Sequence, residues 1–177
     1  MLGVDFAVVE VEIDETPEAG EAAATYVARL AGAKAIAGRD ALTTLSPVLA
    51  ADTTVVINDA ILGKPRDEID ATDMLQRLSN RWHSVYTAVA LESREQSLRV
   101  VHTRVKFRTL TRVEIAAYWA SGEPADKAGA YGIQGMGGAL VERIDGSYSN
   151  VVGLPLVETV ELLNEHGVAH RLSRRQC

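Results

Sequence analysis

The feature that most constrains the fold is a segment over residues 48–57, which is apolar except for Asp52, Thr53 and Thr54. Its content of β-branched residues predicts a buried strand with polar side chains near its middle. Apolar neighbours keep water away from a carboxylate, so Asp52 needs a cation or hydrogen-bond donors if it is to stay ionised. Two interpretations of Asp52 fit this setting equally well. It is either a metal ligand or general base acting on water, or a structural carboxylate bonded to a neighbouring loop.

Around this strand, segments of helical and of period-two hydrophobicity alternate, which predicts an α/β fold with one domain over residues 1–177. Alternating apolar residues predict a half-buried strand over residues 7–13 and an antiparallel pair over 84–91 and 99–107. Helical spacing and capping signals predict four helices. They cover residues 21–37 with a start signal at 16–18, residues 70–78 capped by Asp70, a helix starting with the capping box Thr111/Glu114, and residues 156–166.

Composition excludes several classes of protein. The formal net charge of −6 argues against sequence-independent binding of nucleic acid, because such proteins present a basic surface to the phosphates. The one cysteine, Cys177, excludes an intrachain disulfide and fits a reducing compartment. No apolar run reaches the roughly 18 residues that span a bilayer, and no signal peptide is evident. We therefore expect a cytoplasmic protein without membrane or nucleic-acid partners.

Three further features could bind a metal or an anionic ligand. Lys64 lies between Gly63 and Pro65, and it is either a phosphate contact on a rigid loop or a solvated charge. Gln134, flanked by glycines, can donate to and accept from a base edge, or it faces water in a turn. An acidic group could supply oxygen ligands to Mg²⁺ or form a solvated strand edge: Glu10, Glu12, Asp14 and Glu15. The sequence has no Walker-type loop, dinucleotide fingerprint, nucleophile elbow or zinc pattern.

Four segments follow one another in a characteristic order, namely residues 52–56, 62–65, 122–135 and 146–156. Together they resemble the Maf family of nucleoside triphosphate pyrophosphatases, in the branch that acts on dTTP and UTP. The resemblance implies an elongated mixed sheet flanked by helices, similar to inosine triphosphatase, with a central cleft. It also implies a homodimer that hydrolyses a nucleoside triphosphate to the monophosphate and pyrophosphate, with a divalent cation, Mg²⁺ or Mn²⁺, as cofactor.

The same resemblance implies roles for the catalytic and metal-binding residues. Asp52 matches the proton acceptor for the water that attacks the α-phosphorus. Glu15 matches an acidic position near the metal, so Glu15 and Asp52 are the expected metal ligands. Lys34 and Lys64 match lysines that contact the phosphates.

Two further positions match those that sort substrates in this family, Thr53 and Gln134. The segments around them are similar to the dTTP/UTP branch and differ from the 7-methyl-GTP branch, which is the alternative substrate. The amide of Gln134 is chemically suited to the carbonyl and N–H edge of a pyrimidine. Such pairing rejects a base with the wrong order of donors and acceptors, because buried polar groups are then left unmatched.

One departure from the family concerns the N-terminus. Family members begin with a strand and a Ser-x-Ser-Pro-Arg-Arg loop ahead of the segment that matches residues 2–6, and here Met1 directly precedes that segment. The serines and arginines of that loop bind phosphate. We therefore expect either a working pyrophosphatase or a catalytically impaired nucleotide-binding protein of the kind linked to septum formation. A missing first strand would also expose a sheet edge or leave a gap in the core.

Overall fold

The computed structural model describes residues 2–173, so Cys177 lies outside the described part of the chain. The chain divides into two compact units. One contains residues up to 52 together with 88–100 and the residues from 156 onwards, and the other contains residues 53–87 and 101–155. The elements are, in order, α1 (Ala23–Asp40), β1 (Val48–Ile57), β2 (Ala60–Leu62), α2 (Glu68–Leu78), β3 (Trp82–Glu92), β4 (Gln96–Phe107), α3 (Arg112–Ala120), three 3₁₀ turns (Glu123–Asp126, Ala128–Ala130 and Met136–Leu140), β5 (Val141–Asp145), α4 (Tyr148–Val152) and α5 (Leu156–Glu165).

The strands form one sheet in the order β2-β1-β3-β4-β5. β1 and β2 pair antiparallel, with Val55 opposite Leu62, and β4 and β5 also pair antiparallel. β3 and β4 are neighbours joined only by residues 93–95, and so short a connection permits only an antiparallel pair. The α/β class and the β3–β4 hairpin are therefore confirmed, whereas one domain over residues 1–177 stays a prediction.

The strand predicted over residues 7–13 is wrong, because residues 2–18 contain no helix and no strand. The alternation is nevertheless visible in the exposure, since Val9, Val11 and Ile13 are half-buried while Glu10 and Glu12 are exposed. Period-two alternation decides which side chains face inward. A strand also needs a neighbouring strand whose backbone N–H and C=O groups are free to bond with it, and residues 2–18 form no such backbone pairing.

Helix α1 begins at Ala23, later than the start signal at residues 16–18 suggests. Asp14 Oδ1 accepts a hydrogen bond from the Thr16 N–H, and Glu21 Oε2 accepts one from the Glu18 N–H. Short polar side chains that bond nearby backbone groups favour turns over helix. This acidic stretch therefore forms turns ahead of α1.

The start of α2 also differs from the prediction, because Asp67 caps the helix and Asp70 does not. The Asp67 carboxylate accepts a hydrogen bond from the Asp70 N–H at 2.8 Å, while the Asp70 carboxylate pairs with Arg66 at 3.0 Å. The capping box of α3 is confirmed, with Thr111 and Glu114 bonding each other's backbone N–H groups. Among residues 2–173, no helix has both the length and the apolar character needed to cross a membrane.

The second unit has an apolar core to which its strands, α2, α3 and the glycine-rich turns all contribute. Its buried side chains are Val55, Ile57, Leu62, Ala71, Met74, Leu75, Leu78, Val85, Val105, Phe107, Ile115, Tyr118, Ala130, Tyr131, Ile133 and Leu140. One histidine, His83, lies among them and is 3% exposed. Its ring packs edge-on against Phe107 and Tyr131, and its Nε2 is 2.8 Å from the Tyr131 hydroxyl. Burial lowers the pKa of His83 to about 4, so the ring is neutral at pH 7.

We expect the free energy of unfolding to fall as the pH drops below about 6.5, the pKa of histidine in an unfolded chain. In this range the unfolded chain binds a proton on His83 that the folded chain does not bind. The loss attributable to His83 is about 2 kcal/mol by pH 4.5. Urea titrations across this range measure it, with the parent chain compared with His83→Phe, which cannot titrate. Equal pH slopes for the two chains would contradict the prediction.

Candidate active site

Three of the predicted site residues form one cluster around the ammonium group of Lys34. Lys34 lies on α1, Asp52 lies near the middle of β1, and Glu15 lies in the irregular segment ahead of α1. Lys34 Nζ is 2.7 Å from Asp52 Oδ1 and 2.5 Å from Glu15 Oε1. The side chain of Asp52 is 10% exposed and that of Lys34 is 22% exposed. Water therefore screens this ion pair only in part.

The single ammonium group of Lys34 offsets only part of the negative charge of the two carboxylates in this cluster. Burial alone would lower the pKa of Lys34, but hydrogen bonds to Asp52 and Glu15 and the two negative charges outweigh burial and raise the pKa. Lys34 is therefore protonated throughout the neutral range. It supplies the cation that a carboxylate inside an apolar strand needs if it is to stay ionised. The hydroxyl of Tyr26, also on α1, donates to the backbone oxygen of Glu15 at 2.9 Å.

Glu15 and Asp52 suit a divalent cation by the chemistry of their donors. Both carboxylates already converge on one positive group, the Lys34 ammonium. Mg²⁺ is commonly held by one or two carboxylates, with water and substrate phosphates completing its coordination. Residues 2–173 contain no group of three or more His, Cys, Asp or Glu side chains that could hold a metal by themselves. The convergence of Glu15 and Asp52 on one positive group therefore fits a divalent cation whose coordination is completed by water and a phosphate ligand.

Thr53 follows Asp52 on β1 and is half-buried. Its Oγ1 is 2.9 Å from Oγ1 of Thr87 on β3. Thr87 in turn donates a hydrogen bond to the backbone oxygen of Asn150 at 2.8 Å, and both of these residues are fully buried. The Thr53 hydroxyl is therefore hydrogen-bonded to Thr87, whose position in the interior of the unit is fixed by its own bond to Asn150.

Lys64 is exposed on a loop whose backbone is anchored. The carbonyl oxygen of Gly63 accepts a hydrogen bond from the Gly129 N–H at 3.0 Å, and Pro65 is buried. Gly129 has φ 68°, and a Cβ atom there would lie 2.9 Å from the side chain of Val55. Glycine is therefore required at position 129, and the close packing of this turn holds the loop that carries Lys64.

Gln134 is exposed in a glycine-rich turn that the carboxylate of Glu123 holds in place. This carboxylate accepts hydrogen bonds from the Tyr118 hydroxyl at 2.7 Å and from the backbone N–H groups of residues 136 and 137 at 2.7 and 2.9 Å. Tyr118 Oη also accepts a bond from the Gly132 N–H at 3.0 Å. Burial would raise the pKa of Glu123, but these bonds outweigh it and lower the pKa. The backbone on both sides of Gln134 is therefore held by the Glu123 carboxylate, through Tyr118 on one side and directly on the other.

Sequence reasoning did not identify Glu123, Tyr118 or Thr87 as contributors to the site. Glu123 stands inside the segment 122–135 that carries the family resemblance, but nothing local shows that its side chain reaches residues 136 and 137. Thr87 looks like an ordinary strand threonine. Their roles depend on contacts between residues far apart in sequence.

The structure brings Glu15, Lys34 and Asp52 into direct contact through one ammonium group. The other predicted site residues belong to the second unit, and in the described part of the chain no hydrogen bond or ion pair joins their side chains to one another. They are Thr53, Lys64 and Gln134. The catalytic, metal-binding and substrate-sorting roles of all these residues stay predictions.

Comparison with known proteins indicates the same family as the four motif segments. A family model described as Maf-like protein matches residues 1–166. A dTTP/UTP pyrophosphatase of Hahella chejuensis is 54% identical over 170 residues, which cover 94% of this chain and 85% of that protein. Proteins of the same name from Myxococcus xanthus and Escherichia coli O157:H7 are 56% identical over 169 residues and 54% identical over 164 residues. The alignment with the Myxococcus xanthus protein covers 94% of this chain and 85% of that protein. The alignment with the Escherichia coli protein covers 92% of this chain and 83% of that protein. Because the family model matches residues 1–166 and these relatives are more than half identical over most of the sequence, the chain belongs to the family of Maf-like proteins.

Proposed function

We propose that this chain is a pyrophosphatase that hydrolyses dTTP and UTP to the monophosphate and pyrophosphate. Its similarity to proteins named dTTP/UTP pyrophosphatase supports this substrate class. The structural observation that carries the proposal is the cluster of Glu15, Lys34 and Asp52. It combines a mostly buried carboxylate with a protonated amine, the groups needed to accept a proton from water and to neutralise a phosphate.

In the proposed reaction, Asp52 accepts a proton from a water molecule whose oxygen attacks the α-phosphorus. A bond forms between that oxygen and the α-phosphorus, and the bond from the α-phosphorus to the bridging oxygen of the β-phosphate breaks. The bridging oxygen leaves with pyrophosphate, and the proton on Asp52 then passes to solvent. Because water is the nucleophile, no covalent intermediate with the protein is formed.

The negative charge of the triphosphate has to be balanced by local cations, since the chain as a whole carries a net charge of −6. Lys34 stays protonated, and phosphate oxygens compete with Asp52 and Glu15 for its three N–H donors. Lys64 offers a second ammonium group on an anchored loop. Glu15 and Asp52 would hold Mg²⁺ or Mn²⁺, which adds positive charge at the phosphates when bound.

Gln134 and Thr53 would recognise the base. The amide of Gln134 can both donate and accept, and it is exposed on a turn that its neighbours hold rigid. Thymine and uracil present the same carbonyl, N–H, carbonyl edge to these two side chains. A 7-methylguanine base presents a different order of donors and acceptors, so 7-methyl-GTP is expected to be a poor substrate.

Pyrophosphate release tests the proposal, with the chain incubated with Mg²⁺ and either dTTP, UTP or 7-methyl-GTP. Release from dTTP and UTP, its loss on chelation of the metal and little release from 7-methyl-GTP are expected. Binding of dTTP without release of pyrophosphate would contradict the proposal and favour a catalytically impaired nucleotide-binding protein.

The family resemblance also implies a homodimer, and the sequence suggests a cytoplasmic location. Light scattering after size-exclusion chromatography checks the homodimer, and cell fractionation checks the location.

A further inference from the structure

A short chain of hydrogen bonds determines which way the hydroxyl of Thr53 points. Thr87 Oγ1 donates to the backbone oxygen of Asn150 at 2.8 Å and lies 2.9 Å from Thr53 Oγ1. A threonine hydroxyl carries one hydrogen, and a carbonyl oxygen can only accept. The hydrogen of Thr87 is therefore used on Asn150. At the contact between the two hydroxyls, Thr53 is the donor and Thr87 is the acceptor.

The opposite arrangement is unfavourable. If Thr87 donated to Thr53, the oxygens of Thr87 and Asn150 would face each other at 2.8 Å without a hydrogen between them. Neither residue is exposed, so bulk solvent cannot relieve this repulsion. Asn150 is itself held in place, because its Nδ2 donates to the backbone oxygen of Val85 at 3.2 Å and its N–H donates to Ser147 Oγ at 3.3 Å.

We infer that Thr87 is a positioning residue. Because the Thr53 hydroxyl donates its hydrogen to Thr87, it can only accept a hydrogen bond from a substrate. The inference rests on the proposed function, in which Thr53 contacts the base. With its hydrogen directed at Thr87, the Thr53 hydroxyl matches a base that offers an N–H donor. Uracil and thymine carry a hydrogen at N3, whereas N3 of cytosine carries a lone pair. Thr87 therefore contributes to selecting UTP and dTTP over CTP, because two acceptors would meet if CTP were bound.

Substitution of Thr87 tests this inference through substrate ratios. Thr87→Val keeps the shape of the side chain and removes its oxygen, so the Thr53 hydroxyl becomes free to donate to N3 of cytosine. The ratio of kcat/KM for UTP to that for CTP is expected to fall about tenfold. The ratio for UTP to dTTP should not change, since these two bases share the same edge. Thr87→Ser restores an acceptor hydroxyl and is expected to return the UTP to CTP ratio to that of the parent chain.

A merely structural role for Thr87 gives a different result. Equal losses of kcat/KM for all three nucleotides, without a change in any ratio, would overturn the inference. Thr53→Val is a second variant that leaves the buried bond between Thr87 and Asn150 intact. It removes the acceptor itself, so the same fall in the UTP to CTP ratio is expected, and an unchanged ratio would also overturn the inference.

Binding measurements separate this inference from the proposed function. The dissociation constants of the α,β-methylene analogues of UTP and CTP are measured for the parent chain and for the variants, without any need for turnover. Absence of pyrophosphate release from UTP would contradict the proposed function alone. Equal affinity of the parent chain for the two analogues would overturn the role of Thr87, whether or not the chain is an active pyrophosphatase.

Discussion

Asp52→Asn is expected to lower kcat for pyrophosphate release by about 10²–10⁴-fold, the usual contribution of a general base. The amide has the shape of the carboxylate but cannot take up a proton from water. Its oxygen still accepts a hydrogen bond from Lys34, so nucleotide binding and folding should persist. We therefore expect KM to change less than kcat. Steady-state kinetics with dTTP and UTP measure both parameters, and circular dichroism checks the fold.

Asp59→Asn is the matched control for this prediction. Asp59 is exposed at the turn after β1 and has φ 61°, a conformation that asparagine adopts as readily as aspartate. The same chemical change at this position should leave kcat at the parent value. A parent-like kcat in Asp52→Asn would show that Asp52 is not the proton acceptor. Equal losses in both variants would assign the effect to net charge.

Gly137→Ala is expected to lower the free energy of unfolding by about 3 kcal/mol. A Cβ atom at this position would lie 2.4 Å from the hydroxyl oxygen of Tyr118 and 2.6 Å from the backbone oxygen of Gly132. The second of these atoms is main chain, so the clash can be relieved only if the turn shifts. That shift would break the hydrogen bond from the Gly137 N–H to Glu123. Because Gln134 lies in the same turn, pyrophosphate release should fall as well.

Gly63→Ala is the corresponding control for stability, because no atom beyond the two adjacent residues lies within 4 Å of a Cβ atom built at Gly63. It should leave the urea midpoint unchanged or raise it slightly, since alanine restricts the unfolded chain more than glycine does. Urea unfolding of both variants at neutral pH makes the comparison. If Gly137→Ala unfolds at the same urea concentration as the parent chain, the turn can accept a side chain and does not require glycine there.

Several elements follow from short-range signals. The apolar run at residues 48–57 coincides with β1, and the capping box of Thr111 and Glu114 starts α3 as predicted. Both depend on residues within a few positions of one another. Residues 7–13 show the limit of such signals, because their alternation is real but no strand of the described residues, 2–173, pairs with them.

The sequence by itself determined the family of this protein, the strand that carries Asp52 and the need of that carboxylate for a partner. Motif order, β-branched content and the cost of burying charge can all be read along the chain. Only the tertiary structure decided that Lys34 is the partner and that Thr87 directs the Thr53 hydroxyl toward the interior. The physical reason is the short range of these interactions. A hydrogen bond forms only when two atoms lie within about 3 Å, and folding alone brings Thr87 that close to Asn150, a residue 63 positions away.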